Sequence, residues 1–201
     1  MAPFVFGVRN NIHIIDITKT LDKLNEAVAF LVETVREGGT VLWVGARIQS
    51  RQVIEESAKE LGMPYVVGRW IGGLFTNFKI IKERLKYFRD LEARVASGEI
   101  AQKYTKKEEI TFKRQLEKMQ KEMGGIKDLE NLPQAIFISD MTSEMYAILE
   151  AKKSGIKVVA LVDTGSNPEL VDYPIPTNND SMASMKLIVE AIKKELLPFK
   201  K

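Results

Sequence analysis

Short β-branched runs alternate with amphipathic stretches along the chain, and that alternation constrains the fold more than any other feature of the sequence. Strand-like runs lie at 12–17, 40–44, 65–67, 135–139, 157–162 and 173–175, and several are apolar throughout rather than at every second position. Runs of that kind suit strands covered on both faces, as in a parallel sheet. Between them, residues 21–36, 49–61, 143–153 and 181–195 carry apolar side chains at helical spacing. Gly38-Gly39, Gly62 with Pro64, and Gly155 stand where the C-terminal stops of three of these helices belong. The pattern predicts an α/β chain: an open, doubly wound parallel sheet joined by right-handed crossovers, with ligands expected beyond the carboxyl ends of the strands.

One interval breaks the rhythm. Residues 76–123 contain no strand signal and are too long for a single crossover helix, so they read as an inserted helical hairpin, with the α/β body at 1–75 and 124–201. In the first arm Phe78, Ile81, Leu85, Phe88 and Val95 fall on a seam with spacings of three and four, Glu92 being its one polar interruption. Phe112, Leu116, Met119 and Met123 repeat the spacing in the second arm. Ser97-Gly98 supplies a turn, and Thr105-Lys106-Lys107-Glu108 has the form of a capping box that starts the second arm. Paired antiparallel, the arms would bury their seams and turn their basic residues outward.

Composition narrows the function. The absence of cysteine excludes disulfide scaffolds, cysteine zinc sites and thiol catalysis, and a single histidine leaves no His-pair metal site within the chain. No metal and no cofactor is expected. No apolar run approaches the roughly 18–20 residues that span a bilayer, and residues 1–10 lack a basic segment followed by an apolar one, which predicts a cytosolic protein. The net charge of +3 is unevenly spread. Residues 69–121 hold 14 basic and 7 acidic side chains, a net of +7, whereas the remainder holds 16 and 20, a net of −4. Such a module suits either a polyanion-binding appendage or a solvated helical face.

The individual motifs carry little catalytic chemistry. Asp163-Thr164-Gly165-Ser166 matches the aspartic-protease string, but that chemistry needs a second such loop on an all-β fold, and a polar loop after a buried strand is the better reading. Val44-Gly45-Ala46-Arg47 runs from strand through glycine to helix without either phosphate-loop spacing, so a plain tight turn is favoured, although Arg47 could still meet an anion there. His13 reads as a satisfied structural histidine within a strand. The segment 69–78, with Arg69, Trp70, Gly72-Gly73, Phe75, Asn77 and Phe78, is the most unusual. It suits either a stacking platform for RNA beside a closely approachable backbone, or an aromatic-packed hinge. Beyond it, Lys79, Lys82, Arg84, Lys86 and Arg89 on the first arm, and Lys103, Lys106, Lys107, Lys113 and Arg114 at the turn and second arm, are candidate phosphate contacts without sequence readout. Lys118 and Lys121 continue that series.

At this point the chain resembles the second protein of the small ribosomal subunit, the universal S-two family. The strings that carry the resemblance run in order along nearly the whole chain. They are Phe6-Gly7 with Asn10, Ile12-His13-Ile14-Ile15-Asp16, 42–45, 69–77, Thr105-Lys106-Lys107-Glu108, Gly124-Gly125-Ile126-Lys127-Asp128, Leu132-Pro133, Val162-Asp163-Thr164, Val171-Asp172, Ile175-Pro176 and Asn179-Asp180. The resemblance implies a flavodoxin- or Rossmann-like sheet with a protruding coiled-coil hairpin, long as in bacterial members, and no nucleotide chemistry. It implies a non-enzymatic, structural role in the ribosome, binding rRNA between head and body of the small subunit. Expected partners are rRNA and neighbouring ribosomal proteins, including the large mRNA-binding first protein of the subunit. Family members usually begin a few dozen residues earlier, so the N-terminal contacts are expected to be missing here. Arg47 stands where the family commonly has Thr-Lys, Gly165 where it has Asn, and Lys157 where it has Pro. The rival readings from the residues are a nucleotide- or small-ligand-binding α/β domain using Gly45 and Asp163, and a protein-only coiled-coil adaptor.

Overall fold

A computed structural model describes residues 1–200. In chain order its elements are β1 (Val5–Arg9), β2 (Ile12–Ile15), α1 (Ile17–Arg36), β3 (Val41–Gly45), α2 (Ile48–Leu61), β4 (Tyr65–Val67), α3 (Phe78–Ala96), α4 (Glu99–Lys103), α5 (Lys106–Met123), β5 (Ala135–Ile138), α6 (Met145–Lys153), β6 (Lys157–Val162), β7 (Tyr173–Pro176) and α7 (Met182–Leu196).

Strands β3 to β7 form one five-stranded sheet in the order β4-β3-β5-β6-β7, with every neighbouring pair parallel. Counted along the sheet's own strands this is the 2-1-3-4-5 order of flavodoxin-like folds, whose topological switch lies between β3 and β5. Alternate side chains leave opposite faces. Val41, Trp43, Ala135, Phe137, Val159 and Leu161 pack with α1, α2 and α7. On the other face Leu42, Val44, Val66, Ile136, Val158 and Ala160 join one continuous apolar cluster with α6 and with Ile81, Leu85, Phe88, Met119 and Met123 of the two long arms. The hairpin's seam is thus part of the sheet's cover.

Two expectations need correcting. The run at 12–17 is not a strand of the main sheet. It splits at Asp16, whose side chain accepts the Thr18 N–H at 3.0 Å and caps α1, while Ile12–Ile15 pairs antiparallel with Val5–Arg9 in a separate hairpin. The connecting Asn10 and Asn11 both adopt left-handed backbone, with φ of 50° and 61°, a conformation that asparagine tolerates in tight hairpin turns. His13, expected to be a satisfied structural histidine, is exposed on this hairpin, and its imidazole makes no hydrogen bond among the described residues.

The second correction concerns the first arm's seam. Leu91 is buried at that level, and Glu92 points away to pair with Lys127 at 3.1 Å. The capping box at Thr105 and Glu108 forms as expected, and the short helix α4 lies between the turn and that box, with Ile100 buried. At the root of α5, a Cβ on Gly125 would collide with the Tyr65 carbonyl and lie 2.6 Å from its ring, so only glycine lets this turn seat against β4.

Candidate nucleic-acid interface

The loop from β4 to α3 is organised by one carboxylate. Glu150 on α6 accepts hydrogen bonds from the Trp70 indole N–H (3.1 Å), the Gly73 N–H (2.8 Å), the Phe75 and Thr76 N–H groups (3.1 and 3.3 Å) and the Thr76 hydroxyl (3.2 Å). Partial burial pushes this carboxyl up, but those donors together hold it below the usual glutamate range. Trp70 is half-buried and meets Phe75 edge to face at 5.1 Å. The aromatic pair therefore serves as an internal clamp, with Arg69 exposed just before it and Asn77 exposed after it, where it starts α3 without a side-chain cap.

The hairpin's cations sort into two groups. Lys103, Lys106, Lys113 and Lys118 face carboxylates of their own helices, and Arg94 pairs with Glu99 at 3.5 Å. Arg89 donates to the Lys127 carbonyl at 2.6 Å. Lys79, Lys82, Arg84, Lys86, Lys107, Arg114 and Lys121 are not in ion pairs among the described residues. Helical geometry aligns Lys79, Lys82 and Lys86 on the face of α3 opposite Ile81, Leu85 and Phe88. Lys107, Arg114 and Lys121 recur every two turns, about 10.5 Å, opposite the Phe112–Met123 seam of α5. Both rows can neutralise phosphates without breaking an internal bridge.

At the β3/β5 switch, where related folds receive a phosphate, this chain places its own side chains. Glu144 is buried and accepts the Ala46 N–H at 2.5 Å and the Ser139 hydroxyl at 3.2 Å. Burial, reinforced by the Asp140 charge and only partly offset by these donors, pushes its carboxyl up to about 8. Arg47 is committed to Asp180 at 2.7 Å and Asp140 at 3.6 Å rather than open to an anion. Asp140 in turn accepts from Asn179 at 2.8 Å. A Cβ on Gly45 would lie 3.0 Å from Ile54, so this glycine serves close packing of α2 on β3. Asp163 accepts the Thr164 N–H at the end of β6, the strand-end loop that its sequence suggests.

Sequence reasoning gave Arg47, Arg69, Trp70, Asn77 and the hairpin cations, but neither Glu144 nor Glu150. The Ala46 N–H that Glu144 accepts lies 98 residues away and the donors to Glu150 lie 74–80 residues away, so neither glutamate offers a local signal of its role in joining distant segments. Among the described residues no group of histidine, cysteine or acidic side chains could hold a metal ion, and no helix is long and apolar enough to cross a membrane. Over residues 1–197 the sequence matches a family model described as Ribosomal protein S2.

Proposed function

Since the chain belongs to the ribosomal protein S2 family, its role is that of a structural protein of the small ribosomal subunit, and we propose that it binds rRNA through the unpaired cations of its helical hairpin. The observation that carries this reading is the pair of cationic rows, Lys79-Lys82-Lys86 and Lys107-Arg114-Lys121, on arms whose apolar seams are anchored to the sheet. Fixed rows of cations gain more from a polyanion than mobile ones, because less ordering entropy opposes each contact. In this reading the body is the platform and the hairpin the reach, at the junction of head and body. The cell compartment is then the cytoplasm, on the ribosome.

Protein neighbours would use another surface. Ile12, Ile17 and Leu187 are 69–81% exposed around a groove of about 780 Å³ between the β1–β2 hairpin, α1 and α7. A two-stranded hairpin with so much apolar surface in water is marginal alone, and we assign this face to neighbouring ribosomal proteins, including the mRNA-binding first protein.

The test is binding to small-subunit rRNA across a salt series. Replacing Lys79, Lys82 and Lys86 together by Gln should lower the slope of log affinity against log salt by about 2–3 and leave the melting temperature unchanged. Wild-type protein that fails to bind rRNA, or to sediment with the small subunit from a lysate, would refute the reading.

A further inference from the structure

We infer that the body carries a second RNA contact, at the carboxyl edge of β4, β3 and β5, where Tyr146 stacks on an unpaired base and Arg51 and Arg69 take the adjoining phosphates. The inference rests on the rRNA-binding reading and adds a site outside the hairpin.

Three chain segments are fastened together here by one peptide group. The Ala46 N–H is held by Glu144 at the start of α6, and the Ala46 carbonyl accepts the Arg51 Nε–H at 3.1 Å. The Arg51 guanidinium then lies 3.8 Å from the point where Gly68 would carry a Cβ, and Gly68 is tied to the end of β3 through the Gly45 carbonyl at 3.1 Å. Arg69 is the next residue, exposed and without an ion pair among the described residues. Tyr146 is two residues beyond Glu144, 76% exposed, with no hydrogen bond to its phenol among the described residues. Arg51 is likewise exposed and pairs with no carboxylate among the described residues, so its remaining N–H groups can meet a phosphate.

The chemistry selects RNA. Trp70, the aromatic that sequence suggests for stacking, is clamped by Glu150 and Phe75, which leaves Tyr146 as the open aromatic face at this edge. An exposed ring on α6 and two exposed guanidinium groups, one at the start of α2 and one just after β4, present at one sheet edge the chemistry that holds single-stranded nucleotides without reading their sequence. A free mononucleotide needs a concave site that buries most of it, and here Glu144 and Arg47 fill the adjacent crevice. The contact therefore pays only when the rest of the RNA is already held and the base arrives at high effective concentration.

Ultraviolet cross-linking of the full chain to small-subunit rRNA, with mass spectrometry of the linked peptides, should place a nucleotide on the peptide containing Tyr146. In filter binding to the same rRNA, Tyr146→Ala should weaken affinity about tenfold while Tyr146→Phe keeps it. Arg51→Gln should lower the salt slope by about one. Tyr146→Ala should melt with the wild type, and Arg51→Gln, which gives up one exposed hydrogen bond to the Ala46 carbonyl, should melt within about 4 °C of it. If Tyr146→Ala and Arg51→Gln bind like wild type while the hairpin lysine variant is weakened, the body site is wrong and the hairpin reading stands. If wild type does not bind rRNA at all, both fall. Loss of assembly into the small subunit with unchanged rRNA affinity would overturn the inference in favour of a protein-binding face, and a melting shift with millimolar adenosine monophosphate would overturn it in favour of a nucleotide pocket.

Discussion

Glu144 has almost no contact with water, and its carboxyl is held by the Ala46 N–H and the Ser139 hydroxyl beside the Asp140 side chain. Burial outweighs its donors, so the folded protein keeps the proton to about pH 8, whereas an unfolded chain releases it near the ordinary glutamate value of 4.5. Between those limits the folded state binds more protons than the unfolded one, and stability falls as pH rises, by several kcal/mol across the window. Glu144→Gln keeps the shape and the acceptor for Ala46 but cannot ionise. Thermal melts from pH 5 to 9 should show the variant gaining on the wild type as pH rises, and exceeding it above pH 8. A constant offset between the two curves would mean that Glu144 is ionised throughout. Sequence gives no hint of this, because Arg47 stands out as the charged residue near the glycine turn while its partners Asp140 and Asp180 are 93 and 133 positions away.

Elements were legible where the apolar pattern alone decides them. The strands expected at 135–139 and 157–162 form at 135–138 and 157–162, because runs apolar at every position over 135–138 and 158–162, bounded by polar residues, have few other places to go. The β1–β2 hairpin was hidden because Val5–Arg9 contains Gly7 and Arg9 and buries almost nothing, although Asn10-Asn11 between two apolar runs is a hairpin signal. The first arm's seam, with Glu92 as its one polar interruption, leaves out Leu91. A strict heptad after Phe88 lands on Glu92, but the helix packs against a sheet as well as a partner helix, and its broader apolar face takes Leu91. The two residues therefore make a direct test. Leu91→Ala should cost about 2–5 kcal/mol, as expected for a buried leucine. Glu92→Ala, which removes a partly exposed bridge to Lys127, should cost no more than about 1 kcal/mol. Urea unfolding curves of the two variants distinguish them, and equal costs would restore the heptad register.

At the scale of the whole molecule, the hairpin's charge and its apolar seam have different consequences. Charge alone suggests an appendage that could be removed from a self-sufficient body, since residues 69–121 carry a net of +7 and the rest −4. Packing argues against that separation. Ile81, Leu85, Phe88, Met119 and Met123 belong to the same buried cluster as Leu42, Val44, Val66 and Ile136, so the arms cover the part of the sheet that α6 alone does not. Such a cover fixes the direction of the cationic rows relative to the Arg51–Arg69–Tyr146 edge, and RNA that spans both would meet two surfaces held in one geometry. Excising 78–123 and joining the ends through a short Gly-Ser linker should therefore do more than abolish the hairpin's RNA contacts. The remaining chain should expose apolar sheet surface, bind a hydrophobic dye and lose its cooperative melting transition. A remnant that melts cooperatively near the wild-type temperature without binding dye would show the hairpin to be an independent insertion, and the orientation of its cations would then have to be set by the RNA rather than by the sheet.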